Sequence, residues 1–153
     1  AFSPDGTVIA SVDYQAIRLR EVASQRLVST IQAGASIYSL AYSPDGQWLA
    51  SGELGNRIRL WDVASGDELL TMSLPEDPND YIASVAFSPD GKLLAAGSSD
   101  GYVTLWNPAS GQLLLTFTGH DRAVTGVAFN PNGRWLASSG LDATLRLWPV
   151  VFP

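Results

Sequence analysis

The side chains best suited to chemistry surround the one histidine of this sequence, His120, which lies near Asp121 and Asp142. An imidazole beside a carboxylate can act as a general base or bind a metal ion. A structural zinc site nevertheless lacks ligands, because the chain has one His and no Cys. Ser138 has no nucleophile-elbow context, and the glycine-rich stretch 97–101 lacks the Lys of a phosphate-binding loop. We therefore predict a protein without a cofactor or metal, and the general-base role of His120 stays open at this point.

A second candidate for chemistry is a set of turn carboxylates, Asp5, Asp45 and Asp90, each within an S-P-D-G sequence. Calcium prefers about six to eight oxygen ligands, and isolated turn carboxylates 40 or more residues apart do not converge on one ion. Proline presets φ, Asp bonds to its own backbone and Gly accepts a positive φ, so the motif predicts a tight hairpin turn.

The elements that position these side chains come from an internal repeat. The sequence A-F-S-P-D-G at residues 1–6 returns as A-Y-S-P-D-G, A-F-S-P-D-G and A-F-N-P-N-G, with prolines at Pro4, Pro44, Pro89 and Pro131. The steps between these prolines are 40, 45 and 42 residues. A period of this size indicates small units that bury their apolar faces by stacking on each other. We divide the single segment 1–153 into repeats of approximately 1–34, 35–79, 80–121 and 122–153.

The third repeat is the clearest example of the unit. We predict strands at 82–87, 93–97, 102–106 and 112–117, separated by turns rich in Gly, Pro, Ser and Asp. No helical periodicity is present, so four short antiparallel strands per repeat predict an all-β radial array. Trp48 and Trp135, two residues after the turn glycine, could form a sugar-binding platform, but we expect them to pack between units.

The composition of the chain limits the classes of partner that we expect it to bind. A net charge of -6 predicts repulsion from nucleic-acid phosphates and from anionic membranes, so we expect neither as a partner. No apolar run approaches the roughly 18 residues that cross a bilayer. We therefore expect a soluble protein, with the cytoplasm as its compartment.

The repeat resembles that of the WD-repeat β-propeller family over essentially the whole chain. The last copy begins with Gly119-His120 and ends in L-R-L-W at Trp148, and the second copy contains Trp61-Asp62. The resemblance implies a propeller of four-stranded blades, about four in this chain, the first lacking most of its innermost strand and the last lacking its outermost. It also implies the C-terminal part of a longer propeller.

The family's hydrogen-bonded tetrad matches one copy in full. The resemblance assigns this structural role to His120, Ser138, Asp142 and Trp148. The other copies depart from the pattern, so we expect them to rely on apolar stacking, for example of Val85, Phe87 and Leu105. The departing positions are Pro78 and Ala96 in copy three, Ala33 and Gly55 in copy two, and Arg20 in place of Trp in copy one.

The resemblance also implies docking of other proteins on the loops between strands. We predict a non-catalytic scaffold for protein–protein interaction, with an unidentified protein partner. One alternative for these loops is ordinary solvated variation. The candidate docking face comprises Leu54, Glu76, Asp77, Asp80, Tyr81, Ser99, Arg122 and Leu141.

Two further functions stay open at this stage. Four blades would form an open arc with two apolar faces exposed to water. Either further blades belong to the same polypeptide, or two copies pair as a homodimer that completes an eight-bladed ring. The first alternative function is therefore a self-assembling fragment, natural or engineered. The second, a propeller enzyme with a small molecule in its channel, is disfavoured by the few catalytic residue types.

Overall fold

The architecture consists of short antiparallel sheets. A computed structural model describes residues 1–13, 15–74, 77 and 79–151. In those residues there are fourteen strands and no helix, and the strands form four antiparallel sheets, here called blades 1 to 4. Their bounds are β1 Val8–Asp13, β2 Ala16–Glu21 and β3 Leu27–Gln32 in blade 1; β4 Ile37–Tyr42, β5 Trp48–Glu53, β6 Arg57–Asp62 and β7 Glu68–Ser73 in blade 2; β8 Ile82–Phe87, β9 Leu94–Ser98, β10 Val103–Asn107 and β11 Gln112–Phe117 in blade 3; and β12 Val124–Phe129, β13 Trp135–Gly140 and β14 Leu145–Pro149 in blade 4.

This arrangement confirms the predicted all-β propeller fold. In blade 3, β8 and β11 have the predicted bounds, whereas β9 and β10 begin one residue later than predicted. Leu93 is held in the turn, because its N–H donates to Ser88 Oγ and its carbonyl accepts from the Ser88 N–H. Blades 1 and 4 each contain three strands. Blade 1 retains only an isolated bridge between Phe2 and Ile9 at its inner edge.

Apolar contacts join consecutive blades. We call the face that a blade turns toward the next blade its front face, and the opposite face its rear face. Ala95, Val103 and Leu105 on the front of blade 3 pack against Val124 and Leu136 on the rear of blade 4, and all five are buried. Burial of each large aliphatic side chain stabilises the fold by about 1.5–3 kcal/mol.

The blade 1–2 and blade 2–3 interfaces repeat this construction. Ile17 and Leu19 of blade 1 pack against Leu49 and Trp61 of blade 2. Ile58, Leu60 and Met72 of blade 2 pack against the rear of blade 3. The core is therefore a series of thin layers between sheets, rather than one central cluster.

Serine hydroxyl groups and a glycine allow neighbouring blades to approach closely at their inner strands. Ser39 Oγ on β4 accepts the Val85 N–H of β8 at 3.1 Å, and Ser84 Oγ on β8 accepts the Val127 N–H of β12 at 3.1 Å. The cross-strand partner of Ser39 is Gly52. A Cβ on Gly52 would lie 2.7 Å from Ile82 Cγ2, so the close approach of the blades requires glycine there.

The turns after the innermost strands also pack in series. The glycine that ends each turn has the predicted positive φ, for example +73° at Gly46 and +71° at Gly91. A Cβ on Gly46 would lie 3.4 Å from Pro4 Cδ, and one on Gly91 would lie 3.5 Å from Pro44 Cδ. The turn prolines of blades 1, 2 and 3 thus each lie against the turn glycine of the next blade.

No helix long and apolar enough to cross a membrane exists in the part of the chain that the structure describes.

Candidate functional site

The four residues of the predicted tetrad meet in blade 4. Trp148 Nε1 donates to Ser138 Oγ at 2.9 Å, and Ser138 Oγ lies 2.8 Å from His120 Nε2. His120 Nδ1 lies 2.9 Å from Asp142 Oδ2. Because an ionised carboxylate can only accept, the Asp142 contact places the imidazole proton on Nδ1, and the neutral ring then accepts the Ser138 hydroxyl proton at Nε2 while the Ser138 oxygen accepts the indole N–H.

The hydrogen-bond network occupies the ring nitrogens through which this histidine could otherwise do chemistry. Burial raises the pKa of Asp142, but the combined hydrogen bonds from the Thr144 hydroxyl and N–H, from His120 and from the Asp121 N–H outweigh it and hold the pKa well below its usual range. Both imidazole nitrogens have a side-chain partner, and His120 is 7% exposed. The arrangement braces the loop before β12 against the β13–β14 turn.

Blade 2 contains a different polar network that the sequence analysis missed. Trp61 Nε1 donates to Ser51 Oγ at 2.9 Å, and the Ser51 hydroxyl donates to Glu53 Oε1 at 2.7 Å. The other Glu53 oxygen accepts from Arg59 Nε at 2.9 Å and from a terminal nitrogen at 2.6 Å. Glu53 is fully buried. The apolar stacking expected for blades without the His tetrad is present in blade 2, and this polar network adds to it.

A sequence signal for this network exists. Ser51 and Glu53 are two residues apart on β5, and Arg59 pairs with Ser51 in the register of β5 and β6. The same types recur in blade 1 as Ser11, Asp13 and Arg18. There the Arg18–Asp13 pair, at 2.6 Å, is exposed. The sequence signal for the blade 2 network is thus a Ser and an acidic residue two positions apart on one strand, with an Arg opposite the Ser on the next strand.

Blade 3 provides a hydrogen-bond partner for its indole N–H in a third way. Trp106 Nε1 donates to Thr104 Oγ1 on the same strand at 2.9 Å, so the missing hydroxyl at Ala96 is replaced from β10. Asp100 accepts from the Ser98 hydroxyl and from Asn56 Nδ2 of blade 2 at 3.2 Å. These hydrogen bonds likewise add to the apolar stacking of blade 3. Pro78, the residue at its histidine position, lies outside the described residues.

Strands β6, β10 and β14 each place a buried or partly buried indole on the rear face of their blade, and each indole donates its N–H to a hydroxyl. The model of the family described as WD domain, G-beta repeat matches residues 25–62, 69–107 and 111–149, which together are more than half of the chain. The chain belongs to the WD-repeat family. WD repeats generally mediate protein–protein interaction.

One relative matches a short part of this WD-repeat chain. An uncharacterized WD repeat-containing protein of Nostoc sp. (strain PCC 7120) is 47% identical over 36 residues. The matched stretch is 24% of this chain and 2% of that relative. The chain therefore covers only a small fraction of the relative's length.

Four residues of the candidate docking face lie together at the junction of blades 2 and 3. Leu54 and Tyr81 form a β-bridge across the two blades. The Tyr81 N–H donates to Ser99 Oγ at 2.9 Å, and the Ser99 hydroxyl donates to Asp80 Oδ1 at 2.8 Å. Asp77 is exposed nearby in the sequence, and Glu76 lies outside the described residues.

Tyr38 is a member of this surface that the sequence analysis did not find. Its ring stacks on Tyr81 with centroids 4.4 Å apart and planes at 25°, and it remains 50% exposed. Tyr38 belongs to β4 in blade 2, whereas Tyr81 belongs to blade 3, so only the stacking of the blades brings the rings together. The only signal in the sequence was a tyrosine on a predicted inner strand, since its exposure follows from the fold.

Arg122 and Leu141 lie farther along the same end of the blades. The Leu141 N–H donates to the Ala123 carbonyl at 2.8 Å, next to Arg122. A Cβ on Gly101 of blade 3 would lie 3.2 Å from the Arg122 carbonyl, so this loop adjoins the β9–β10 turn. Arg122 and Leu141 are exposed.

In the ranges 1–13, 15–74, 77 and 79–151, no group of three or more His, Asp or Glu side chains converges as a metal ion requires. The carboxylates of Asp5, Asp45 and Asp90 instead accept bonds from the serine two residues earlier, at 2.6, 2.6 and 2.7 Å.

Proposed function

We propose that this chain is a non-catalytic docking platform for another protein, and that the partner binds the loop surface at the junction of blades 2 and 3. The observation that carries the proposal is the stack of the half-exposed Tyr38 ring on Tyr81, beside Leu54, which is 37% exposed. Tyrosine supplies a large contact area with few rotatable bonds, and aromatic residues are enriched among the side chains that dominate binding energy.

The backbone beneath this surface is held by hydrogen bonds. The Gly55 and Asn56 N–H groups of blade 2 donate to the Asp80 carbonyl of blade 3 at 2.6 and 3.1 Å. The Leu54 N–H donates to the Ser36 carbonyl at 3.0 Å. A surface ordered before binding loses less conformational entropy when a partner docks, which supports a recognition role.

The charge around the tyrosines favours a partner of particular chemistry. Asp80 lies directly before Tyr81, and Asp77 lies three residues before Asp80 and is exposed. A partner segment with an apolar or aromatic side chain flanked by basic residues therefore fits this surface best, because opposite charges steer association.

The hydrogen bonds of the one histidine support the non-catalytic part of the proposal. His120 has partners at both ring nitrogens, and Ser138 is committed to Trp148 and His120. A general base needs a free nitrogen within reach of a substrate proton. Neither His120 nor Ser138 can take a substrate proton unless the hydrogen bonds of the blade 4 tetrad are broken.

Quantitative affinity capture tests the proposal. Proteins retained by the parent chain are compared with those retained by Tyr38→Ala, in which an exposed ring is removed, and by Leu113→Ser, which changes a 40% exposed leucine on the outer strand of blade 3. We expect specific partners to be lost from the first variant and kept by the second, with equal thermal midpoints. Identical capture by all three chains, or no specific partner, would contradict the proposal.

A further inference from the structure

We propose that the cleft between blades 1 and 2 binds an aromatic amine, a small molecule with a flat ring and an ammonium group. The cleft has a volume of about 550 Å³, within the range of about 300–1,000 Å³ that is usual for small-ligand sites. It lies at the end of the blades that carries the S-P-D-G turns, opposite to the loop surface with Tyr38 and Tyr81. The inference is therefore independent of the proposed docking function.

The walls of this cleft are mainly apolar and come from two consecutive blades. Val8, Leu19 and Val28 line it from blade 1, and Tyr42 and Val63 line it from blade 2. Val8, Leu19 and Tyr42 also belong to the apolar layer that joins these blades. The cleft is thus an opening into the core between the two sheets, where a flat apolar group can be buried.

The small side chain of Val8 keeps the cleft open toward the core. The equivalent residue of blade 2 is Trp48, and at the next interface Trp48 and Phe87 both pack against the core, so that Phe87 does not line the cleft there. Tyr42, the equivalent of Phe87, lines the cleft beside Val8. Trp48 thus packs between units as expected, whereas for Trp135, which is 46% exposed, that expectation was wrong. An indole fills at one interface the space that a valine leaves open at the other, so a ring of similar size fits beside Val8.

The hydroxyl of Tyr42 is a polar group without a partner in this cleft. The other three copies of the repeat carry Phe at this position. The hydroxyl oxygen is buried, and no hydrogen-bond partner exists among the residues that the structure describes. Burial raises the pKa of Tyr42, and the Asp5 carboxylate raises it further, so the hydroxyl stays protonated. A buried hydroxyl without a partner is destabilising, and an N–H on a ring that enters beside Val8 would provide one.

Two exposed carboxylates determine the charge that the cleft accepts. Asp5 and Asp45 both line it. Hydrogen bonds from the hydroxyls of Ser3 and Ser43 hold the pKa values of these carboxyls below their usual range, so both are ionised at neutral pH. Both bonds to Asp45 go to Oδ1, which leaves Oδ2 for a ligand. No Lys or Arg is among the described residues that line the cleft. An ammonium group therefore fits, and an anion is repelled.

The other two clefts between blades do not combine these features. Between blades 2 and 3, Trp48 occupies the space for a ring and Lys92 adds a positive charge. Between blades 3 and 4, Leu93 takes the place of Val8 and Asn132 that of a carboxylate, and the space is smaller, about 350 Å³. The proposal is therefore specific to the first cleft, and the equivalent positions supply matched controls.

Isothermal titration calorimetry with tryptamine tests the proposal, because tryptamine combines an indole with an ammonium group. Indole-3-acetate has the same ring and the opposite charge. We expect tryptamine to bind at one site per chain. Indole-3-acetate should bind about tenfold more weakly or worse, since Asp5 and Asp45 repel it.

Three variants locate the site. Val8→Trp places in blade 1 the side chain that blade 2 carries, and its control is Leu93→Trp, the equivalent position of blade 3. Tyr42→Phe removes only the hydroxyl. We expect Val8→Trp to abolish tryptamine binding and Leu93→Trp to leave it unchanged. Tyr42→Phe should weaken binding about fivefold, as expected for one lost hydrogen bond.

Several results would overturn the proposal. These are no binding of tryptamine to the parent, equal affinity for indole-3-acetate, and parent-like affinity in Val8→Trp or Tyr42→Phe. Circular dichroism checks the fold of each variant. If Val8→Trp does not fold, Val28→Lys replaces it, because Val28 is 50% exposed and the new charge opposes the ammonium group. The control is then Leu69→Lys at the equivalent position of blade 2, where the leucine is 43% exposed.

Discussion

The fully buried carboxylate of Glu53 accepts two hydrogen bonds from the guanidinium of Arg59, from Nε at 2.9 Å and from a terminal nitrogen at 2.6 Å. The guanidinium also lies 5.1 Å from the ring centroid of Trp61. Arg59 also contacts the more exposed carboxylate of Glu68 at 3.3 Å. Removal of the Glu53 charge nevertheless takes the buried partner from a guanidinium that is only 11% exposed, which is costly.

We predict that Glu53→Gln lowers the free energy of unfolding by about 3 kcal/mol for this reason. Urea unfolding followed by tryptophan fluorescence measures it. The matched control is Asp13→Asn in blade 1, where the Arg18–Asp13 pair is 39% and 53% exposed. An exposed pair contributes about 0–1 kcal/mol, so the control should change little. Equal effects of the two substitutions would contradict the assignment of Glu53.

The second prediction concerns the central hydroxyl of the blade 4 tetrad. Ser138→Ala leaves the Trp148 N–H and His120 Nε2 without their partner, so we expect a loss of about 1–3 kcal/mol. Ser139→Ala, one residue along the same strand, removes a hydroxyl whose side-chain partner is Thr125 in an exposed pair. It should cost about 0.5 kcal/mol or less. The ranking would be refuted by a Ser139→Ala effect as large as that of Ser138→Ala.

A third prediction follows from the lowered pKa of Asp142. A carboxyl whose pKa is lower in the folded than in the unfolded state stabilises the fold above its unfolded pKa, and this stabilisation is lost as the pH falls toward the folded pKa. The stability difference between the parent and Asp142→Asn should therefore shrink below about pH 4. Chemical unfolding from neutral to acidic pH measures it, with Asp67→Asn as a control for the loss of one charge. A difference that is constant with pH would contradict the prediction.

The fourth prediction tests the close approach of blades 2 and 3. In Gly52→Ala the new Cβ would lie 2.7 Å from Ile82 Cγ2 and 2.8 Å from the Ile82 carbonyl oxygen. Overpacking of this kind costs about 1–3 kcal/mol. In the control, Gly126→Ala, the nearest atom is the terminal Ser139 Oγ at 3.1 Å, on the uncovered front face. A thermal midpoint lowered more by Gly126→Ala than by Gly52→Ala would contradict this model of the interface.

The sequence was sufficient for the fold because its signals are local. The turn S-P-D-G fixes each hairpin through proline, a carboxylate acceptor and a glycine with positive φ, as observed at Gly46 and Gly91. Strand bounds were predicted within a residue in blade 3. The residues of the blade 4 tetrad could also be named beforehand, because all four occupy the family's positions.

The networks of blades 2 and 3 were not predicted. Glu53 occupies no position of the family's tetrad, and a charged residue on a strand usually faces water. Its burial depends on Arg59 from the neighbouring strand and on the cover supplied by blade 1. Tyr38 was missed for a similar reason, since its stacking partner Tyr81 comes from another blade.

By itself the sequence determined the repeat, the turns and the order of the strands, because these depend on contacts between residues near each other in the chain. The tertiary structure decided which side chains are covered. Leu105 and Leu147 occupy equivalent positions in their repeats, yet one is 0% and the other 60% exposed. The difference is the presence of a neighbouring blade, since apolar burial depends on what packs against a face and not on the residue that the face carries.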